Sequence, residues 1–178
     1  MGLSLPPITL PGDDLIPDAG MAFDRSREIA APPEAIWPWL VQLGKRRAGW
    51  YLPARVERLV PGGRRGAATI DPRWQTLAVG DRISDYGGRH ETLEVALIDP
   101  PRALVYRSER RGAVFTWALV LRPAGVGRTD VHLRFRGRLR STGWRRRALV
   151  LVGGIFDWAT TELMLRGLDE RVRRGRRH

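Results

Sequence analysis

Groups able to carry a proton are few and scattered in this chain of 178 residues. General acid–base work needs a phenol, imidazole or carboxyl buried enough for its pKa to move, and Tyr86, His90, Glu109, Asp157 and Glu162 are the candidates. His90 opens a strand beside Gly87-Gly88, which places it at a rim or in solvent. Glu109 ends a strand beside Arg110 and Arg111, where a surface ion pair accounts for it. Glu162 neighbours the apolar stripe of the last helix, and a salt bridge on the helix flank is its plain explanation. Spacing gathers no two or three of these groups into a constellation. Nucleophilic chemistry has no anchor, for there is no cysteine, no G-x-S-x-G and no Walker loop. The turn "PGGRRG" (61–66) is a weak phosphate cradle. The three histidines, His90, His132 and His178, form no i,i+4 pair, so neither a metal nor a cofactor is expected.

Charge bounds the partners. The formal net charge is +12, and 30 of the 31 basic residues are arginine, Lys45 being the exception. Residues 134–178 carry 13 arginines against four acids, a net +9, which leaves +3 for the rest. Such a third attracts nucleic acid, anionic lipid or an acidic ligand without choosing among them. Arg134, Arg136 and Arg138 alternate along one strand and read as a solvated sheet face. Nucleic acid is disfavoured, because the aromatic residue of that strand, Phe135, points the other way. "GWRRRALVLVGGIF" (143–156), with Trp144, Arg145, Arg146 and Arg147, is a place where an anionic membrane surface can be touched. No run approaches a membrane span, and the N-terminus resembles neither a secretory signal nor a myristoylation site, which makes the cytoplasm the expected address.

The elements that would position these residues follow from periodicity. Residues 1–20, rich in Pro, Gly and Asp, are expected to be irregular. A strand over 21–29 precedes a helix over 33–43, where Ile36, Trp39, Leu40 and Leu43 form one stripe. "WYLPARVERLV" (50–60) suggests a second short helix. From 67 to 138 the period becomes two, giving strands at 81–86, 90–99, 103–109, 113–122 and 128–140 joined by Gly and Pro turns. Alternation predicts an antiparallel meander with one wet face. A helix over 144–173 follows, interrupted near Gly153-Gly154, with Trp158, Thr161, Leu165, Leu168 and Val172 on a buried stripe. The class is α+β: a curved sheet with a dry concave face and a long helix laid across it.

The phrases "IAAPPEAIWPWLVQLG" (29–44), "RAGWY" (47–51), "WQTLAVGDRI" (74–83), "LIDPPRALVYRS" (97–108) and "DWATTELMLRGLDERV" (157–172) resemble the SRPBCC superfamily. This is the START-like, polyketide cyclase-like helix-grip fold. "PGDDLIPDA" (11–19) resembles the entry segment of a bacterial single-domain subgroup, which often has an acid where this chain has Thr161. The resemblance implies a curved antiparallel sheet wrapped around a long C-terminal helix, with two short helices after the first strand. It implies one domain over 21–173, an irregular segment over 1–20 and a basic tail over 174–178. Between sheet and helix it implies a cavity for a hydrophobic or aromatic small molecule.

The strands nominate Leu93, Val95, Phe115, Trp117, Leu133 and Phe135 as the cavity wall, and the helices Leu40, Trp158, Thr161 and Leu165. Tyr86 and Tyr106 are expected to place hydroxyls at the rim, and Trp50 and Tyr51 to lie near the entrance. Three functions stay open: binding or carrying a hydrophobic ligand, a cyclase or aromatase chemistry with Tyr86 or Glu162 as proton carrier, and peripheral binding to anionic membranes.

Overall fold

The computed structural model describes residues 9–86, 90–110, 112–139 and 144–176, the side chains of 144–159 excepted. Strand β1 (Met21–Ile29) leads into α1 (Pro33–Gln42) and a four-residue α2 (Ala54–Glu57). Strands β2 (Arg82–Ser84), β3 (Thr92–Asp99), β4 (Ala103–Arg110), β5 (Ala113–Pro123) and β6 (Thr129–Leu139) follow, then α3 (Trp144–Gly175). One antiparallel sheet in the order β1-β6-β5-β4-β3-β2 curves around α3, which is the expected helix-grip arrangement.

Local chemistry sets the helix bounds. Pro33 occupies the first position of α1, where a missing N–H costs nothing, and Pro38 does not end the helix. α2 is shorter than the 50–60 stretch suggests, because Pro53 is extended and delays the start. α3 runs through Gly153-Gly154 without the expected interruption. Each glycine costs only about 1 kcal/mol relative to alanine, and a long packed helix absorbs that.

The core lies between the sheet's inner face and the helices. Leu104, Leu119, Leu121, Val131 and Leu133 meet Ile36, Leu40, Met164, Leu165, Leu168 and Val172 there. Full burial of each such side chain contributes about 1.5–3 kcal/mol. A register shift in β3 between Val95 and Leu97 puts Val95 in this core and Leu97 against Val105 on the opposite face. Along the edge strand β1, Arg27 pairs with Asp169 (3.4 Å) and Glu162 (3.7 Å) of α3 and closes the grip with charge.

The outer face is not wet as the alternation suggests. Residues 10–18 lie across it, with Leu10 and Ile16 buried. Gly12 has φ 88°, and a Cβ there would stand 2.6 Å from Val105 Cγ1, so only glycine brings the segment this close. Asp13 pairs with Arg134 (2.8 Å) and Arg136 (3.6 Å), and Asp18 pairs with Arg138 (2.5 Å). Arg136 also donates to the Ile16 carbonyl at 2.9 Å. The arginine strand is therefore a socket for the "PGDDLIPDA" segment, and the side chains of Arg134 and Arg136 are 13% and 19% exposed. Beside it Asp24 accepts from Arg134 (2.7 Å) and lies 2.6 Å from His132 Nε2. Arg122 can only donate to His132 Nδ1 (3.0 Å), so the ring proton sits on Nε2 and is given to Asp24.

Two predictions follow from this packing. Burial works against the charged form of Asp24, but Arg134 and His132 outweigh it and hold the carboxyl below its ordinary 3.8; Arg138 does the same for Asp18. Depressed carboxylates stabilise the fold above their ordinary range, and that stability drains as pH falls through the lowered values. Thermal midpoints of the wild type are expected to drop from about pH 4 downward, and Asp24→Asn to flatten that drop. An unchanged profile in the variant would remove Asp24 from the account. Second, a Cβ on Gly167 of α3 would lie 2.6 Å from the backbone carbons of both Tyr51 and Leu52, whereas one on Gly175 meets nothing. Gly167→Ala should lose about 1–3 kcal/mol in urea unfolding and Gly175→Ala none.

Candidate ligand-binding site

Strand register places one aromatic row across the inner face. Tyr106 of β4 faces Trp117 of β5, Trp117 faces Phe135 of β6, and Phe135 faces Phe23 of β1. Leu104, Leu119 and Leu133 form the next row on one side; Ser108, Phe115 and Gly137 form the row on the other. The inner face thus passes from an aliphatic row through an aromatic one to a mixed row in which Phe115 stands between Ser108 and Gly137. Period-two alternation in four adjacent strands is all this requires.

A second set of rings runs from solvent inward. Tyr86 meets Trp50 edge-on (centroids 5.9 Å apart), Trp50 stacks on Trp117 (5.4 Å), and Trp117 stacks on Tyr106 (6.1 Å). Exposure falls along this column, from 53% at Tyr86 to 9% at Trp117 and 1% at Tyr106. Trp50 also ties its loop to α3, since its Nε1 donates to the Thr160 carbonyl at 3.2 Å. The loop that carries it is fixed by reciprocal backbone bonds between Gly44 and Gly49. Phe115, Phe135 and Phe23 make a separate cluster, with the Arg110 guanidinium 4.6 Å above Phe115.

Polar atoms inside this region divide into satisfied and orphaned. Tyr51 is fully buried, and its hydroxyl donates to the Trp39 carbonyl (2.8 Å) and accepts from Gln42 (3.1 Å). Tyr106 and Thr161 are each 1% exposed, and their hydroxyls have no hydrogen-bond partner among the described residues. Tyr106 is on the sheet wall and Thr161 on the helix wall. Burial pushes the Tyr106 phenol far above its ordinary pKa, so it stands as a neutral donor.

The structure distributes the candidate residues unevenly. Leu40, Val95, Leu133 and Leu165 are packed core, and Leu93, Phe115 and Phe135 are half-buried against it or beside it. Trp50 is half-buried and Tyr86 exposed, at the solvent end of the ring column. Tyr106 is deep instead of at the rim, because its strand neighbours carry it under Trp117; Tyr51 is core instead of entrance, drawn in by Gln42 and Trp39. The side chains of Trp158, Asp157, Trp144, Arg145, Arg146 and Arg147, and the Gly87-Gly88 turn, lie outside the described residues. His90 is exposed, Glu109 pairs with Arg107 at 3.0 Å, and Glu162 pairs with Arg166 at 2.7 Å. Sequence reasoning missed Phe23, which the 21–29 strand alternation would have supplied. It also missed Arg47, which nothing in "GKRRAG" separates from the exposed Arg46. Among the described residues no group of three His, Cys, Asp or Glu side chains is placed to hold a metal.

Comparison with known proteins adds to this geometry. The family described as polyketide cyclase / dehydrase and lipid transport matches residues 21–175. No curated protein matches the chain. Among solved structures, the HSP90 activator PFC0360w of Plasmodium falciparum is similar over 84% of this chain and 94% of its own, at 19% identity and a TM-score of 0.53. Norcoclaurine synthase of Thalictrum flavum, a point mutant in complex with a transition-state analogue, is similar over 88% and 96%, at 13% identity and a TM-score of 0.52. Protein MLL2253 of Mesorhizobium loti is similar over 86% and 98%, at 22% identity and a TM-score of 0.49. At such identities the first two likenesses speak for the fold alone.

The column of rings has an optical consequence. Indoles stacked as Trp50 and Trp117 are couple strongly, so circular dichroism should carry an exciton couplet. Trp50→Phe and Trp117→Phe should each abolish it while leaving the backbone signal, and Trp37→Phe should not. A couplet surviving in both variants would break the column.

Proposed function

The chain belongs to the polyketide cyclase / dehydrase and lipid transport family, and on that footing we propose that it binds a hydrophobic or aromatic small molecule between the sheet and α3. One observation carries the reading: the orphaned hydroxyls of Tyr106 and Thr161, on opposite walls of an otherwise apolar and aromatic interior. Buried polar atoms without protein partners are rare, and each leaves about 1–3 kcal/mol of lost hydrogen bonding to be recovered by a visitor. An apolar site with a few convergent polar groups is what a small-molecule pocket requires. Trp50 and Tyr86 are placed to act as its mouth.

Binding without chemistry is favoured over the cyclase reading. Glu162, beside Thr161 on α3, has its Oε1 engaged by Arg166 and Arg27. Burial raises the Tyr86 phenol above its ordinary pKa, which unsuits it as a base near neutrality. A membrane role has less support. Among the described residues no helix is long and apolar enough to cross a bilayer, and the Trp144–Arg147 side chains are outside them.

Native mass spectrometry of the protein from its own cells, followed by organic extraction, tests the reading. A stoichiometric apolar adduct is expected, along with saturable binding of N-phenyl-1-naphthylamine at one equivalent. Tyr106→Phe should leave the apo protein as stable as the wild type, because the lost hydroxyl had no partner. A wild type that takes up neither adduct nor probe would refute the pocket.

A further inference from the structure

We propose that the molecule bound in this interior carries an acidic oxygen group, a carboxylate or its chemical equal, and that Arg47 is its anchor. The proposal rests on the binding reading above and narrows it. Arg47 sits on the short loop closed by Gly44 and Gly49, directly before Ala48, Gly49 and Trp50. Its Nη2 donates to the carbonyls of Val41 (3.1 Å) and Trp74 (3.0 Å), and its guanidinium lies 4.7 Å above the Trp74 ring. Its Nε is buried and has no acceptor among the described residues.

The contrast with other guanidinium groups is what singles it out. Two more have a buried nitrogen without a hydrogen bond, Arg110 and Arg136, and both possess carboxylate partners, Asp85 and Asp13. Arg47 has none among the described residues. An arginine cannot shed its proton, so this positive charge stands uncompensated at the edge of an aromatic interior. Its field reaches Tyr51 and Tyr106, favouring the ionised form of each phenol, although burial outweighs it in both. Tyr51 has spent its hydroxyl on Trp39, whereas Tyr106 has not.

The unspent groups near this charge are therefore donors: the Arg47 Nε–H and the Tyr106 hydroxyl. A neutral ligand would satisfy hydrogen bonds and leave the charge. An acidic oxygen satisfies both, and charge-assisted bonds of this kind are about twice as strong as neutral ones. Thr161, on the opposite wall, remains for a second oxygen or a bridging water. The ligand class is then an aromatic or long apolar acid with its acidic end toward the α1–α2 loop.

A matched probe pair tests this: 2-naphthoate and its methyl ester, titrated against tryptophan fluorescence, with N-phenyl-1-naphthylamine as the neutral reference. Wild type is expected to prefer naphthoate roughly ten- to hundredfold. Arg47→Met should abolish the preference and keep ester binding, Arg47→Lys should restore part of it, and Arg46→Met, at the exposed neighbour, should keep it whole. If Arg47→Met does not fold, Tyr106→Phe carries the test, with naphthoate weakened several-fold more than ester. Equal affinity for acid and ester in the wild type, or a preference that survives Arg47→Met, overturns the anchor and leaves the pocket standing. Failure of all three probes to bind fells both.

Discussion

Arg171, near the C-terminal end of α3, holds the parts of this fold in relation to one another. Its five N–H groups meet five acceptors: Nε the Ala67 carbonyl, Nη1 the carbonyls of Leu52 and Gly167, and Nη2 the Glu57 carboxylate and the Gly66 carbonyl. The guanidinium lies 4.7 Å above the Tyr51 ring and is 5% exposed. Burying a charge this deeply costs several kcal/mol unless every hydrogen is used and an opposite charge is close. Both conditions hold, with Glu57 at 2.5 Å. The loops over 51–67 have little regular structure of their own, so this hub, with Glu170 accepting from the Ala54 N–H, fastens them to α3. Tyr51 then passes the constraint to Gln42, whose amide reaches the Thr69 carbonyl and the Asp71 N–H. Trp50 and Arg47 inherit their positions from this chain of contacts.

The two faces of the sheet are covered by unlike means. Inside, apolar side chains from α1 and α3 bury the strand residues, and the gain scales with area. Outside, a segment with almost no regular structure lies on a row of arginines, fixed by Asp13 and Asp18 and by the close approach of Gly12 to Val105. The exterior clamp answers to pH and salt; the interior does not. The charge of Arg134, Arg136 and Arg138 is answered within the chain, by Asp13, Asp24 and Asp18.

Much of this was legible in the sequence because it rests on periodicity. Val131, Leu133 and Phe135 alternate with His132, Arg134 and Arg136, and the inward assignment of Phe115 and Trp117 followed from the same rule. What periodicity cannot give is what lies opposite. The outer arginines looked solvated because the aspartates that meet them, Asp13 and Asp18, are more than a hundred residues away and sit in a segment without a pattern. Alternation along β4 turns Tyr106 inward but does not reveal that Trp117 stacks on it and leaves it 1% exposed. Loop residues were the least legible: Arg46 and Arg47 are neighbours of one type, and only the backbone, with Arg46 at φ 62°, turns one outward and the other under Trp74.

The weight carried by Tyr106, Thr161 and Arg47 comes from how completely the surrounding polar groups are matched. Arg171 uses all five donors, the Gln42 side chain makes three hydrogen bonds, and the Tyr51 hydroxyl both gives and receives. Tyr51 and Tyr106 belong to one core cluster, the first with its hydroxyl spent and the second with it idle, so loose packing is no explanation of the difference. The satisfied groups are those that join backbone segments, and removing any of them would free a loop. The idle atoms are not needed for such joins: Tyr106 is already held by its strand, Thr161 by its helix, and Arg47 ties Val41 to Trp74 through Nη2 alone, which leaves its Nε spare. A side chain whose backbone is otherwise secured can leave a donor idle without loosening the fold, and that freedom is what a binding group requires.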